Sequence, residues 1–122
     1  MKVHSIRGTK GAEVVDDLNP KLTDIILPKR RFSAFFKTDL DQTLRTLDVD
    51  TIVVTGVTTE VCVLMTVMDG LSHDFSAILL EDCTASRSKE FHQGCLNLYR
   101  DFALYPLLKI MTLDEFLKEA SS

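Results

Sequence analysis

The chain has 122 residues, 45% hydrophobic and 26% charged, the balance of a single globular domain long enough to bury a core. A net charge of −4 speaks against nucleic acid or an acidic membrane surface as partner. There is no apolar run of membrane-spanning length, no signal-peptide pattern and no C-x-x-C pair among Cys62, Cys83 and Cys95. The expected compartment is therefore the reducing cytoplasm, and no metal is expected on these cysteines.

In chain order, the first 22 residues are rich in Gly, Lys and Asp and read as a loop with a short helix around Ala12–Leu18. Thr23–Pro28 is an apolar strand candidate. Thr38 is placed to cap a helix carrying Leu40, Leu44 and Leu47 at helical spacing, with Asp41 in its first turn. Thr51–Thr55, short and β-branched, is the second strand. Thr58 or Thr59 then caps a helix that runs to about Ser72, with Val63, Leu64, Val67 and Leu71 on its apolar stripe. Ser76–Glu81 is the third strand, and Ser88–Phe102 an amphipathic helix with Phe91, Cys95, Leu98 and Phe102 on one face. Lys109–Met111 is a last short strand, and Leu113–Glu119 a last helix opened by Thr112 and Glu115 as a capping box. Continuous apolar strands alternating with helices predict a parallel sheet covered on both faces, an α/β architecture.

Such sheets bind ligands beyond the carboxyl ends of their strands. Lys29, Cys62 and Asp82 all fall just past predicted strand ends. Cys62 matters most, because it sits in the first turn of a helix that follows a strand. Unpaired N–H groups and the positive end of the helix dipole favour a thiolate there, the nucleophilic form of cysteine. Position alone leaves a second reading open, that of an inert buried thiol.

Three blocks in register extend this picture: Gly8-Thr9-Lys10-Gly11-Ala12-Glu13 with Leu18-Asn19-Pro20; Lys29-Arg30-Arg31-Phe32-Ser33-Ala34-Phe35-Phe36 with Thr38-Asp39-Leu40; and Gly56-Val57-Thr58-Thr59-Glu60-Val61-Cys62-Val63 with Glu81-Asp82-Cys83-Thr84-Ala85-Ser86. Their order and spacing resemble the isochorismatase-like cysteine hydrolases, a superfamily that includes nicotinamidases and ureidoacrylate, carbamoylsarcosine and biuret-type amidohydrolases. The last block is most similar to the biuret and ureido-amide branch. The resemblance implies a three-layer α/β/α Rossmann-like fold with a mostly parallel sheet, residues 1–122 forming one such domain without its N-terminal strands. It implies Cys62 as nucleophile, Lys29 as the lysine of a triad, and the backbone N–H groups of Thr58 and Cys62 as oxyanion hole, with a cis peptide at Val57–Thr58. It further implies a small amide or ureido substrate, a thioester intermediate, no organic cofactor and a homo-oligomer.

The family's third catalytic member, an aspartate at the end of its first strand, has no match here. Asp16 and Asp17 are expected to be solvated charges. In the family's strand order, 3-2-1-4-5-6, Thr23–Pro28 matches strand three and Thr51–Thr55 strand four, so strands one and two should lie between them. Three outcomes are open: a region outside this sequence, a second chain that fills the gap, or a sheet closed by new pairing.

Among other residues, Arg31, Phe35 and Phe36 are substrate-pocket candidates; Arg30 and Arg31 suit a carboxylate or, equally, stand as solvated strand-end charges, and core packing is the alternative for two of Phe32, Phe35 and Phe36. His4 matches a metal-binding histidine of nicotinamidases, but the Asp-x-His segment that partners it there is absent, so no metal is expected. His73 and His92 are expected at the surface or at helix ends, Cys83 and Cys95 as inert buried thiols, and Asp82 as a loop-orienting or capping group. Lys37 stands where the family often has glycine. Neither Ser33 nor Thr58 lies in a Gly-x-Ser-x-Gly turn. Two rivals accompany the amide hydrolase: a non-catalytic remnant of the same fold serving as an interaction module, and an ether hydrolase acting on isochorismate, which the cysteine at position 62 disfavours.

Overall fold

The computed structural model describes residues 16–100 and 104–121. Helix α1 spans Leu40–Thr46, strand β1 Thr51–Val57, a π-helical turn Thr59–Val63, α2 Leu64–Ser72, β2 Ser76–Ala85, α3 Lys89–Tyr99, β3 Leu108–Met111 and α4 Leu113–Ala120. The three strands form one parallel sheet in the order β1-β2-β3. Their alternation decides what each face buries. Ile52 and Val54 of β1, Ala77 and Leu79 of β2 and Leu108 and Ile110 of β3 point to one side. There they meet Val63, Leu64 and Val67 of the first helical segment and Leu96 of α3, with Val67, Leu79 and Leu96 fully enclosed. On the other side Leu80 and Met111, partners in the β2–β3 register, are buried. Helix α4 covers that face, tied to β3 by Lys109–Glu119 at 3.7 Å. The result is helix, sheet, helix, the layering expected of an α/β fold.

Several expectations change. Thr23–Pro28 is not a strand: it runs as turn and irregular chain with Ile25 and Ile26 exposed. A strand exists through its ladder partners, and among the described residues the outer edge of β1 pairs with no strand. Val53 and Val57 of that edge strand remain exposed. Asp39 is the residue directly before α1 but makes no side-chain cap bond, and Thr38 caps from one position further out, its Oγ1 accepting from the Leu40 N–H at 3.3 Å while donating to the Ala34 carbonyl at 2.6 Å. The third strand extends to Ala85 because its pairing with β1 jumps from Val54↔Leu79 to Gly56↔Thr84, so Leu80–Cys83 bulge out of that ladder. The amphipathic helix after it ends at Tyr99, and its expected last residue, Phe102, lies outside the described residues, as do His4 and most of the helix expected at Ala12–Leu18, of which Asp16–Leu18 form a 3-10 turn. The capping box at the start of α4 is present, Thr112 Oγ1 accepting from the Glu115 N–H and Glu115 Oε1 accepting from the Thr112 N–H.

The fold positions the cysteine through the end of β1. Gly56 has φ of 114°, a conformation open to glycine and closed to most other residues, and the space around it is empty, so backbone geometry rather than crowding requires glycine here. A cis peptide joins Val57 to Thr58. The chain then enters the π-helical turn, in which the Thr58 carbonyl accepts from the N–H of Val61 and of Val63, both at 3.1 Å. Pairing at i+5 delays the regular helical ladder, so Cys62 sits in this wider turn rather than in the α-helix that follows it.

Candidate active site

Cys62 lies half-buried in this turn, one residue before the helix commits its Val63 and Leu64 side chains to the core. Lys29, on the irregular segment that the sequence had suggested would end a strand, reaches across 33 positions of chain to bring its Nζ to 3.9 Å from Cys62 Sγ. The same ammonium donates to the Arg31 carbonyl at 2.8 Å, which fixes its direction. The segment carrying it is held to α2 by the Ala34 N–H, which donates to Thr66 Oγ1 at 3.0 Å. It is held to itself by Ser33, whose Oγ accepts from the Phe35 N–H at 3.1 Å. Lys37, at the end of this segment, takes φ of 51°, the left-handed region that favours glycine.

A cavity of about 510 Å³ opens alongside, lined by Arg31, Phe32, Ser33 and Phe36 from the lysine segment and by Glu60, Leu64, Met65, Met68, Asp69 and Tyr99 from the helices. Its walls are mainly apolar with charge at Arg31, Glu60 and Asp69. Neither Cys62 nor Lys29 is among the lining residues, so the cavity borders the thiol turn through Glu60 rather than containing the sulfur. Phe35 departs from the expected pocket role. It is buried, stacks on His73 with ring centroids 5.1 Å apart, and tilts against Phe75, because the turn at Ser33 directs it inward. Arg30 does not line the cavity; its carbonyl accepts from Arg31 Nη1.

Glu60 faces the Ser86 hydroxyl, although the two stop short of hydrogen-bond geometry. The nearby Ser86 hydroxyl first, then the residue's own backbone N–H and the Arg87 and His92 side chains, hold the Glu60 carboxyl below the usual range against desolvation. Asp82 accepts from the neighbouring Cys83 Sγ at 3.8 Å rather than from Cys62. Its Oδ1 accepts from the N–H of Leu113, the first residue of α4, at 2.9 Å, which is the capping role. Cys83 and Cys95, expected to be buried, are only partly so. Desolvation, then the neighbouring Asp82 charge, push the Cys83 thiol up; desolvation, then Glu60, do the same for Cys95.

His92 is a residue of the site that its place in the sequence does not single out. It is half-buried on the first turn of α3, with Nδ1 at 2.8 Å from Thr59 Oγ1 and Nε2 at 2.9 Å from the Glu81 carbonyl. A histidine three to four residues past a Ser cap reads as a helix-surface residue, and only the bulge in β2 turns an acceptor toward it.

A parallel α/β sheet, a cysteine on the tight turn after a strand and a lysine beside it define a class of fold and site, and the comparisons place the chain within it. The isochorismatase domain matches residues 1–112, and the chain belongs to the isochorismatase family. A ureidoacrylate amidohydrolase, RutB, of Pantoea ananatis is 41% identical over 87 residues, 71% of this chain and 35% of that protein. The chain thus spans about a third of the length of such curated relatives. The crystal structure of an isochorismatase-like hydrolase from Alkaliphilus metalliredigens superposes with a TM-score of 0.87 at 38% identity, covering 97% of this chain and 62% of that one. The N-carbamoylsarcosine amidase from Thermoplasma acidophilum gives 0.75 at 30% identity, covering 90% and 60%. Among the described residues no helix is long and apolar enough to cross a membrane.

Proposed function

We propose that this chain carries the nucleophilic half of an amide hydrolase acting on small ureido or amide compounds. The observation that supports it most is the ammonium of Lys29 at 3.9 Å from the sulfur of Cys62, on the π-helical turn that follows β1. A positive charge at that distance stabilises negative charge on the sulfur, and a sulfur anion is the form that attacks a carbonyl. The relatives named for ureidoacrylate and N-carbamoylsarcosine direct the substrate toward an N-carbamoyl group on a small acid. Arg31 at the cavity wall is suited to that acid's carboxylate, with Phe36 against its apolar part.

In the first step Cys62 Sγ bonds to the carbonyl carbon while the carbonyl π pair moves to oxygen. The N–H groups of Thr58 and Cys62 receive that oxyanion. Each such donor is commonly worth about 3 kcal/mol of barrier lowering. The C=O then re-forms, the C–N bond breaks, and the nitrogen departs with the electron pair, taking a proton from water. Water attacks the thioester-level intermediate and restores the thiol. Lys29 does not transfer a proton in this scheme; it holds charge on sulfur. Among the described residues it is also the thiol's side-chain hydrogen-bond partner.

The test is hydrolysis of ureidoacrylate and N-carbamoylsarcosine by the wild-type chain and by Cys62→Ala. Turnover by the wild type that vanishes in the alanine variant, with an unchanged far-UV spectrum, supports the assignment. Equal turnover in the two, or no turnover and no covalent adduct in the wild type, overturns it.

A further inference from the structure

We propose that His92 is a positioning residue for the oxyanion turn, a strut that holds the Thr58–Thr59 segment at the angle from which its N–H donors meet the reacting oxygen. The inference rests on the hydrolase reading above. Thr59 is completely buried, and a buried hydroxyl needs a partner; His92 Nδ1, at 2.8 Å, is the partner it has. On the far side of the ring, Nε2 lies 2.9 Å from the Glu81 carbonyl. A carbonyl only accepts, so Nε2 carries the hydrogen, and Nδ1 is left to accept from the Thr59 O–H.

Both ends of the strut are anchored. Glu81 sits in the bulged stretch of β2, and its carboxylate is held by Arg100 at 2.8 Å. His92 itself follows the Ser88 cap, whose Oγ accepts from the Phe91 N–H. One imidazole thereby links three elements, α3, the β2 bulge and the turn. The residue it grips directly follows Thr58 and opens the helical turn that carries Cys62. Thr58 has no side-chain cap bond of its own, so the turn draws its lateral restraint from Thr59. His92 does not touch the sulfur and takes no part in bond making; it acts through Thr59.

The expected effects follow from geometry. A displacement of about 1 Å at a reacting centre costs on the order of 100-fold in rate. His92→Leu keeps volume and removes both bonds. It should lower kcat by about 10- to 100-fold with little change in KM, since the oxyanion is absent from the bound substrate and develops only as the sulfur adds. Thr59→Val should do the same, and the double variant should be no slower than the slower single. His92→Gln, whose amide offers one acceptor and one donor on a planar head, should recover most of the loss.

A second readout avoids the leaving group: reversible addition of ¹³C-labelled propionaldehyde to Cys62, followed by NMR. Here the thiol adds across C=O, sulfur to carbon and hydrogen to oxygen, and the donors contact the resulting oxygen. His92→Leu should weaken this adduct by at least 10-fold while leaving the melting temperature high enough to assay. Losses that multiply in the double variant, or an adduct of unchanged affinity, overturn the strut while leaving the hydrolase reading intact. A wild-type chain that forms no adduct and hydrolyses neither ureido acid overturns both.

Discussion

Replacing Lys29 by Met removes the ammonium while keeping a side chain of similar length, and its effect can be worked from the separation of 3.9 Å. At about 4 Å two unit charges interact by about 1 kcal/mol in water and about 4 kcal/mol at an effective dielectric of 20. Lys29 is exposed and Cys62 half-buried, so solvent screening keeps the interaction near the lower end, about 1 to 2 kcal/mol. At about 1.4 kcal/mol per factor of ten, Cys62 in Lys29→Met should react with iodoacetamide about 5- to 30-fold more slowly at neutral pH. The assay is timed alkylation, tryptic digestion and mass spectrometry of the Cys62 peptide. Lys29→Arg, which keeps the charge, should lose less. Raising salt to about 1 M shortens the Debye length to about 3 Å and should narrow the gap between wild type and Lys29→Met. An alkylation rate unchanged by Lys29→Met would refute the claim that the ammonium activates the sulfur.

The same experiment ranks the three thiols. Cys83 and Cys95, both pushed up by desolvation and nearby carboxylates, should be labelled after Cys62; a uniform rate for all three would contradict the activated site. Leu79→Ala, at the fully buried centre of β2, should destabilise the fold by about 2 to 5 kcal/mol, seen as a lower urea midpoint at constant slope. Thr112→Ala removes the cap of α4 and should cost about 1 kcal/mol in the same measurement. Glu115 titrates below the usual carboxylate range, first because the Thr112 N–H donates to its side chain. A depressed folded value means its contribution is present above the unfolded value and fades as pH falls through the folded one. Stability measured from about pH 5 downward should therefore fall more steeply in the wild type than in Glu115→Gln.

Much of the fold was legible because its signals are local. The apolar runs at Thr51 and Ser76, the β-branched character of β1 and the Thr112–Glu115 box each specify a conformation within a few residues. The Thr23–Pro28 run carried the same local signal and failed, since strand formation depends on a neighbour that composition does not reveal. The extension of β2 to Ala85 escaped for the same reason: a change of register belongs to two strands at once. At the site, the approach of Lys29 to Cys62 across 33 positions was legible only through the family pattern, since spacing alone placed both residues merely at strand ends. Phe35 and Phe36 are adjacent and identical in chemistry, yet one is core and the other faces the cavity, a choice made by the turn at Ser33. His92 escaped because its partners, Thr59 and the Glu81 carbonyl, are brought to it by the bulge and by the close of β1.

The central claim is that the sulfur of Cys62 forms a covalent bond to the substrate's carbonyl carbon. Rapid quenching of the chain with ureidoacrylate in acid, followed by peptide mass spectrometry, tests it directly. Covalent catalysis predicts a transient carbonyl-containing mass increment on the Cys62 peptide, absent when Cys62 is alanine. Substrate consumed with Cys62 unmodified at every time point, or the increment carried by Cys83 or Cys95, would contradict it.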